Sequence, residues 1–166
     1  VTTTYTDNVL SELLGDAVTF TQDLPTTGCF ALALWADRLW LTDGSFVYPS
    51  NFGRAECYDP LDALSFNRDD GHEIRALHAS GDRIYVGKTK GIYYVTGTSR
   101  DDWRINTLSD KQGCYSHASM KSVEGLLLWY GGDNFYRSDG GAPESISDLK
   151  VRTLLDAIPD ARKEYV

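Results

Sequence analysis

The sequence predicts an all-β protein made of repeated four-stranded antiparallel units, with a short helix near its C-terminus. Large apolar residues alternate with smaller or polar ones at a period of two, which is the spacing of strands and not of helices. Turn segments rich in glycine and aspartate separate these stretches. One hairpin pattern also recurs three times along the chain. Together these observations favour an internally repeated β fold.

The clearest copy of the hairpin spans residues 81–97. It combines a strand at 83–87 with a turn at 88–90 and a second strand at 91–96. Glycines flank the turn, as is typical of a β-hairpin. The segment therefore predicts the central hairpin of one repeat.

Two further copies lie upstream and downstream of this hairpin. A forward shift of about 43 residues places 84–86 on 127–129, and a backward shift of about 45 places it on 39–41. A period in the low forties is the length of one four-stranded propeller blade. We therefore predict a partial β-propeller of about three four-stranded antiparallel blades at 28–148.

The first blade is predicted at 28–71. Its strands are expected at 30–35, 38–42 and 45–48, joined by turns at Ala36-Asp37 and Asp43-Gly44. The stretch from Pro49 to Pro60 is rich in Asn, Gly, Asp and Pro, so it is predicted to be a long loop. Leu61, Leu64 and Phe66 are expected to return the chain to the sheet.

The second and third blades are predicted at 72–113 and 114–148. In the second, Ile74, Leu77 and Ala79 lead into the hairpin, and a polar turn at 99–103 precedes an outer strand ending at Leu108. In the third, a strand ends near Val123, the turn Glu124-Gly125 and the hairpin follow, and the segment 140–143 comes after the hairpin. Each hairpin carries large residues on both faces, which is expected of a sheet packed between two neighbours.

The two ends differ from the repeats. Residues 1–27 form a lead-in arm, in which Val9, Leu10, Leu13 and Leu14 predict either two helical turns or an irregular packed segment. Residues 149–166 form a short helical segment and tail. Leu149, Leu154, Leu155 and Ile158 lie near helical spacing, with Ser147-Asp148 as the cap and Pro159 as the stop, so this helix is predicted to be amphipathic.

Composition narrows the class of protein further. The chain has 166 residues, 42% apolar content and a net charge of −8, which indicates a globular protein without the clustered basic residues that bind nucleic acid. No apolar run reaches the roughly 18 residues of a membrane span. Because a propeller needs about four to eight blades, we expect either a longer parent protein, of which this is an excised segment, or partner chains that supply the other sheets.

The cysteines and histidines are predicted to be packed or surface residues, because their spacing does not fit a metal site. Cys29, Cys57 and Cys114 form no metal-binding pair and are expected to be reduced, with Cys29 and Cys114, each preceded by glycine, as equivalent blade positions. His72 is placed before a strand, and His78 and His117 within strands, without metal-ligand spacing. All three histidines are predicted to be surface or packed residues.

The remaining candidate site residues are two acidic pairs and the tryptophans. The pairs Asp69-Asp70 and Asp101-Asp102 lack a calcium-binding ladder and indicate ordinary turns, although 99–103 has a faint likeness to the sialidase Asp box. The chain has four tryptophans: Trp35, Trp40, Trp103 and Trp129. Trp40 and Trp129 occupy positions of the repeat that are predicted to pack in the core. A sugar-stacking platform would instead need tryptophans exposed to solvent. The sequence therefore predicts no enzyme and no catalytic, cofactor-binding or metal-binding residue.

The order of motifs resembles a family. The matching segments are 5–7, 14–16, 24–25, 47–51, 74–77, 92–98, 102–103, 113–114 and 135–140. In this order they resemble virion structural proteins of tailed bacteriophages, similar to the tail nozzle and stabilisation proteins of short-tailed phages. The chain is too short for a complete propeller, and in this it departs from that family.

The resemblance implies a non-enzymatic tail or connector subunit that assembles in the bacterial cytoplasm and resides in the virion. It implies a homo-oligomeric ring, contacts with portal, adaptor or fibre proteins, and packaged DNA passing through without sequence-specific binding. No cofactor is implied. Three other classes remain open: a propeller lectin or host-glycan receptor-binding module, a sialidase-like hydrolase, and a cellular scaffold propeller.

Overall fold

The computed structural model describes residues 28–147 and 149–166, so the predicted lead-in arm at 1–27 lies outside the described residues. The strands are β1 (Ala31–Trp35), β2 (Arg38–Thr42), β3 (Val47–Asn51), β4 (Arg54–Tyr58), β5 (Ile74–Ser80), β6 (Arg83–Lys88), β7 (Gly91–Thr96), β8 (Arg104–Ser109), β9 (Lys121–Val123), β10 (Leu126–Tyr130), β11 (Phe135–Ser138) and β12 (Glu144–Ser145). One α-helix, α1 (Leu149–Asp156), follows them, and short 3₁₀ turns lie at Pro60–Asp62 and Asp160–Tyr165.

The strands form three four-stranded antiparallel sheets, each a meander of consecutive strands. The first sheet contains β1 to β4, the second β5 to β8 and the third β9 to β12. The mostly β architecture and the three sheets confirm the coarse prediction made from the repeat. The central hairpin is also confirmed, except that β6 extends through Lys88 and leaves Thr89-Lys90 as the turn.

The predicted loop from Pro49 to Pro60 is wrong. The chain there continues β3 to Asn51, turns at Phe52-Gly53 and returns as β4. Gly53 has a positive φ of 66° and donates its N–H to the Asp37 carbonyl at 2.9 Å, which fixes the turn. The loop-favouring residues of this stretch form a tight turn between two strands. Pro49 is tolerated within β3 because it lies next to the register shift at Ser50/Asn51, and proline is found in sheets at such irregularities.

Two hydrophobic clusters hold the three sheets together through opposite faces of the second sheet. Ile84, Val86 and Val95 pack in a cluster with Trp35 and Trp40 of the first sheet. The alternate residues of the second sheet pack with the third; this cluster contains Ala76, Tyr85, Ile92, Cys114, Met120, Leu127 and Trp129. The second sheet is therefore buried on both faces, as the large residues on both sides of the hairpin predicted.

Gly87 allows the third sheet to approach the second closely. A Cβ at this position would lie 2.7 Å from Cys114 Cβ and 2.7 Å from Met120 Cε. Such distances are shorter than real side-chain contacts, so any larger residue would push the two sheets apart. The glycine that follows the Ile-Tyr-Val strand core thus has a packing role.

A buried lysine fastens the second sheet to the chain that leads into it. Lys88 is 4% exposed, and its ammonium group donates to the carbonyls of Phe66 (2.7 Å) and Asn67 (3.1 Å). It also forms an ion pair with Asp70 at 2.7 Å. All three partners lie on the segment between β4 and β5, so one side chain fixes the connection between two sheets.

The C-terminal helix exists but is poorly covered. Of its apolar residues only Leu155 is buried, whereas Leu149 is 80% exposed and Leu154 is 71% exposed. The Ser147 hydroxyl accepts the Phe135 N–H at 3.0 Å and thereby binds β11. Asp148, the other residue of the predicted cap, lies outside the described residues. The helix ends before Pro159, as predicted. In the part of the chain that the structure describes, no helix is long and apolar enough to cross a membrane.

Candidate functional site

A concave surface lies between the second and third sheets. It is a cleft of about 660 Å³ formed by the β6–β7 turn, the loop after β8, the loop after β10 and the C-terminal 3₁₀ turn. Three lysines, Lys90, Lys111 and Lys163, reach its lining together with Asp133. The cleft therefore concentrates positive charge in a chain that is acidic as a whole.

The charged groups of the cleft are only partly paired. Lys163 forms an ion pair with Asp160 at 2.8 Å, and this hydrogen bond, which outweighs burial, raises its pKa. Burial, reinforced by Asp133, raises the pKa of Tyr136, whose hydroxyl donates to that carboxylate at 3.2 Å. Lys90 and Lys111 form no ion pair with any described residue. The cleft can attract anions, but its lysines are held on flexible stems.

One hydroxyl and one imidazole in the cleft are close enough to suggest a nucleophile and a base. The Thr89 hydroxyl lies 3.2 Å from His72 Nδ1. An activated hydroxyl also needs a group that orients the imidazole, usually a carboxylate. Within 28–147 and 149–166 no carboxylate side chain hydrogen-bonds to the His72 ring. The pair therefore lacks the third member that hydrolytic triads use.

Gly113 closes the floor of this cleft and has no tolerance for a side chain. A Cβ there would overlap the Thr89 and Lys88 carbonyl groups, which are backbone and cannot rotate away. The adjacent Cys114 N–H donates to the Lys88 carbonyl at 2.8 Å, so the contact is a direct link between sheets. The residues after Cys29 and Cys114 make equivalent contacts, because the Phe30 N–H donates to the Thr42 carbonyl at 3.1 Å and the Tyr115 N–H to the Tyr130 carbonyl at 3.0 Å. Cys114 is buried against the preceding sheet, whereas Cys29 is half-buried and leads into β1.

We expect Gly113→Ala to lower the free energy of unfolding by about 2 kcal/mol or more, since overpacking against fixed backbone cannot relax. Gly28→Ala is the matched control: Gly28 also precedes a cysteine, but a Cβ there meets nothing within 4 Å. Urea titrations of both variants measure the difference. Equal midpoints for the two variants would contradict this account of the sheet junction.

Two of the three histidines, which are far apart in sequence, meet beside β1 and β5. His117 Nδ1 accepts the Leu77 N–H at 3.3 Å, and His78 Nε2 lies 3.0 Å from the Ser122 hydroxyl. His117 belongs to a turn and not to a strand, contrary to the prediction. Burial and the nearby Lys121 charge lower the pKa of both imidazoles. These are packed histidines that favour the neutral form.

The same histidines predict a pH dependence of stability. The unfolded chain binds protons on histidine at a pKa near 6.5, while the folded pKa values of His78 and His117 are lower. The unfolded state therefore gains protons first, and stability present above about pH 6.5 declines as the pH falls below it. Urea midpoints at pH 7.5 and 5.5 measure the decline. It should shrink in the double variant His78→Gln, His117→Gln and persist in His72→Gln.

The tryptophans lie in the core. Trp40 and Trp129 are fully buried, while Trp35 and Trp103 are 8% and 9% exposed. Rings of Trp35 and Trp103 contact Trp40 at centroid distances of 5.5 and 5.2 Å. The core interpretation is confirmed for the repeat positions, and no tryptophan face is free to stack on a sugar.

The acidic pairs act in turns. Asp102 accepts the N–H groups of Ser99 (2.6 Å) and Thr98 (3.0 Å), and these hydrogen bonds lower its pKa. The segment with a faint likeness to an Asp box is thus a turn that positions Trp103. Asp70 pairs with Lys88. In the described part of the chain, no group of three or more His, Cys, Asp or Glu side chains is placed to hold a metal ion.

No protein-family model matches this sequence, and no curated protein matches it significantly.

Proposed function

We propose that the chain is a non-enzymatic structural component of a phage or prophage tail, a nozzle or connector subunit built from propeller blades. The observation that carries the proposal is the stack of three equivalent four-stranded sheets, whose middle member is buried on both faces. Such stacking is the way in which propeller blades pack around a central channel. In this proposal the three blades occupy 28–71, 72–113 and 114–148.

In this proposal the first strand of each sheet lines the central channel. β1 and β5 contact each other, and the first strands together carry no aspartate or glutamate. Their permanent cations are Arg75 and Lys121 alone. Binding to DNA phosphates requires clustered Lys and Arg. A wall of this composition lets packaged DNA pass without holding it.

In this proposal the work is done by shape and by contacts with portal, adaptor or fibre proteins in the virion, after assembly in the bacterial cytoplasm. The alternative glycan-binding function receives no support from the tryptophans, since all four are buried. Exposed hydrophobic residues lie instead on strands, connecting turns and the C-terminal helix; among those in turns, Phe52 is 65% exposed and Leu61 is 78% exposed. Loops of this kind are suited to protein contacts.

Immunogold electron microscopy tests the proposal. Antibodies against the purified chain are applied to phage particles released from the bacterium that carries the coding sequence. Label at the tail vertex is the expected result, and antibodies against a major capsid protein provide the control for access. Particles that carry no label, and no peptide of this chain by mass spectrometry, would overturn the proposal.

A further inference from the structure

The outward face of the first sheet is apolar and open. Five residues form it, which we call the leading face: Leu32, Leu34, Leu39, Leu41 and Tyr48. They share one side because Leu32 pairs with Leu41, Leu34 with Leu39, and Leu41 with Tyr48. Leu32 is 60% exposed and Leu34 is 71% exposed. Residues that alternate with them, such as Trp40, face the second sheet instead.

The leading face has the same pattern as a face that is buried one sheet further on. In the second sheet Leu77 pairs with Val86 and Val86 with Tyr93, which matches the arrangement of Leu32, Leu41 and Tyr48. Leu77, Val86 and Tyr93 are buried against the first sheet. The third sheet repeats this, since Leu127 and Trp129 are buried against the second. Each sheet thus offers the same side to its predecessor, and only the first has no described predecessor.

The outward face of the third sheet, which we call the trailing face, is the complementary end of the series. Leu128 pairs with Arg137, as Tyr85 pairs with Tyr94 in the second sheet, where those tyrosines face the third. Leu126, Leu128 and Phe135 of the trailing face are only half-buried, whereas Tyr130, which pairs with Phe135 on the same face, is fully buried. It occupies the position that buries a following sheet elsewhere in the molecule.

We propose that the leading face of one copy of this chain packs on the trailing face of a second copy, and that the reverse contact closes the pair into a ring of six sheets. The contact continues the interface that already joins the first sheet to the second and the second to the third. Two such head-to-tail junctions close with two-fold symmetry. Six sheets fall within the range of about four to eight that closed propellers use. The inference rests on the propeller arrangement of the proposed function.

Light scattering of the full chain tests the contact. The expected mass is twice the 18.5 kDa of one chain. Leu34→Lys on the leading face and Leu128→Glu on the trailing face should each give monomers, because both junctions of the pair then carry a charge. An equimolar mixture of the two variants should recover the dimer, since one of its two junctions is unaltered. Leu61→Lys, at an exposed site on neither face, should remain dimeric.

Circular dichroism establishes that each variant is folded, and Leu126→Glu replaces Leu128→Glu if the latter does not fold. A wild-type monomer would overturn the inference and would point to residues 1–27 or another protein as the cover of the leading face. A dimer broken by Leu34→Lys but not by the trailing-face variants would also overturn it, because that result indicates a face paired with itself. Immunogold labelling of virions is independent of these outcomes, so failure of this contact leaves the tail proposal standing.

Discussion

Lys88→Ala is expected to lower the free energy of unfolding by about 3–5 kcal/mol, which is the usual cost of removing one partner from a buried ion pair. The substitution leaves the Asp70 carboxylate and the Phe66 and Asn67 carbonyls without their donor. It also frees the connection between the first and second sheets. Urea denaturation followed by tryptophan fluorescence measures the loss. Lys90→Ala, at an exposed lysine on the adjacent turn, should change stability by less than about 0.5 kcal/mol.

The ion pair between Lys88 and Asp70 also predicts how acid destabilises the protein. Burial acts to raise the Asp70 pKa, but hydrogen bonds from Lys88 and from the His72 backbone, together with the Lys88 charge, hold it below its ordinary value. A carboxyl whose folded pKa is depressed stabilises the protein above the unfolded pKa of about 3.9 and loses that contribution as the pH falls through the folded value. The loss below pH 4 should therefore be smaller in Asp70→Asn. An unchanged acid profile in that variant would contradict the assignment.

Trp40→Ala and Trp129→Ala are each expected to cost about 3–5 kcal/mol, because both rings are fully buried between sheets. Trp40 lies in the cluster between the first and second sheets, and Trp129 in the cluster between the second and third. Denaturant midpoints give the magnitudes. Phe52→Ala, at a residue that is 65% exposed, is the matched aromatic control and should cost little.

Replacement by phenylalanine separates the two tryptophans. The Trp40 indole N–H donates to the Trp35 carbonyl at 3.1 Å, whereas the Trp129 indole N–H has no hydrogen-bond partner among the described residues. Trp40→Phe removes this hydrogen bond, which costs about 0.5–1.5 kcal/mol. Trp129→Phe removes a buried N–H that was unpaired. We therefore expect Trp129→Phe to be the milder change, and the reverse order would contradict the assigned hydrogen bonds.

The hairpins were predictable because two properties coincide in them. Strict alternation places Ile84, Val86 and Val95 on one side of the second sheet, and glycines flank the turn at Thr89-Lys90. The repeat then transfers the same prediction to β2 and β10. β4 was missed because Arg54-Ala55-Glu56 is exposed and lacks apolar alternation, while its strand conformation depends on pairing with β3. Cross-strand context overrode the local composition there.

The candidate site was much harder to predict than the fold. Lys88 stands beside a turn, where a lysine is ordinarily solvated, and nothing in its neighbours signals a partner 18 residues away. His78 and His117 lie 39 residues apart, and they meet because the third sheet returns beside β5. Gly28 and Gly113 share a Gly-Cys motif, but only at Gly113 would an added Cβ meet other atoms. These features arise from the packing of one sheet on another, which a period of two does not encode.

The burial of the second sheet on both faces has a consequence for the order in which the protein opens. In stacked repeats, stability is close to a sum of contributions from each unit and its immediate neighbours. The amide hydrogens of β6 and β7 lie in the only sheet with two described neighbours, so their exchange with solvent deuterium should be the slowest. Those of β12, a two-residue strand at the sheet edge, should exchange among the fastest. Unfolding would then proceed from the two ends of the stack towards its middle.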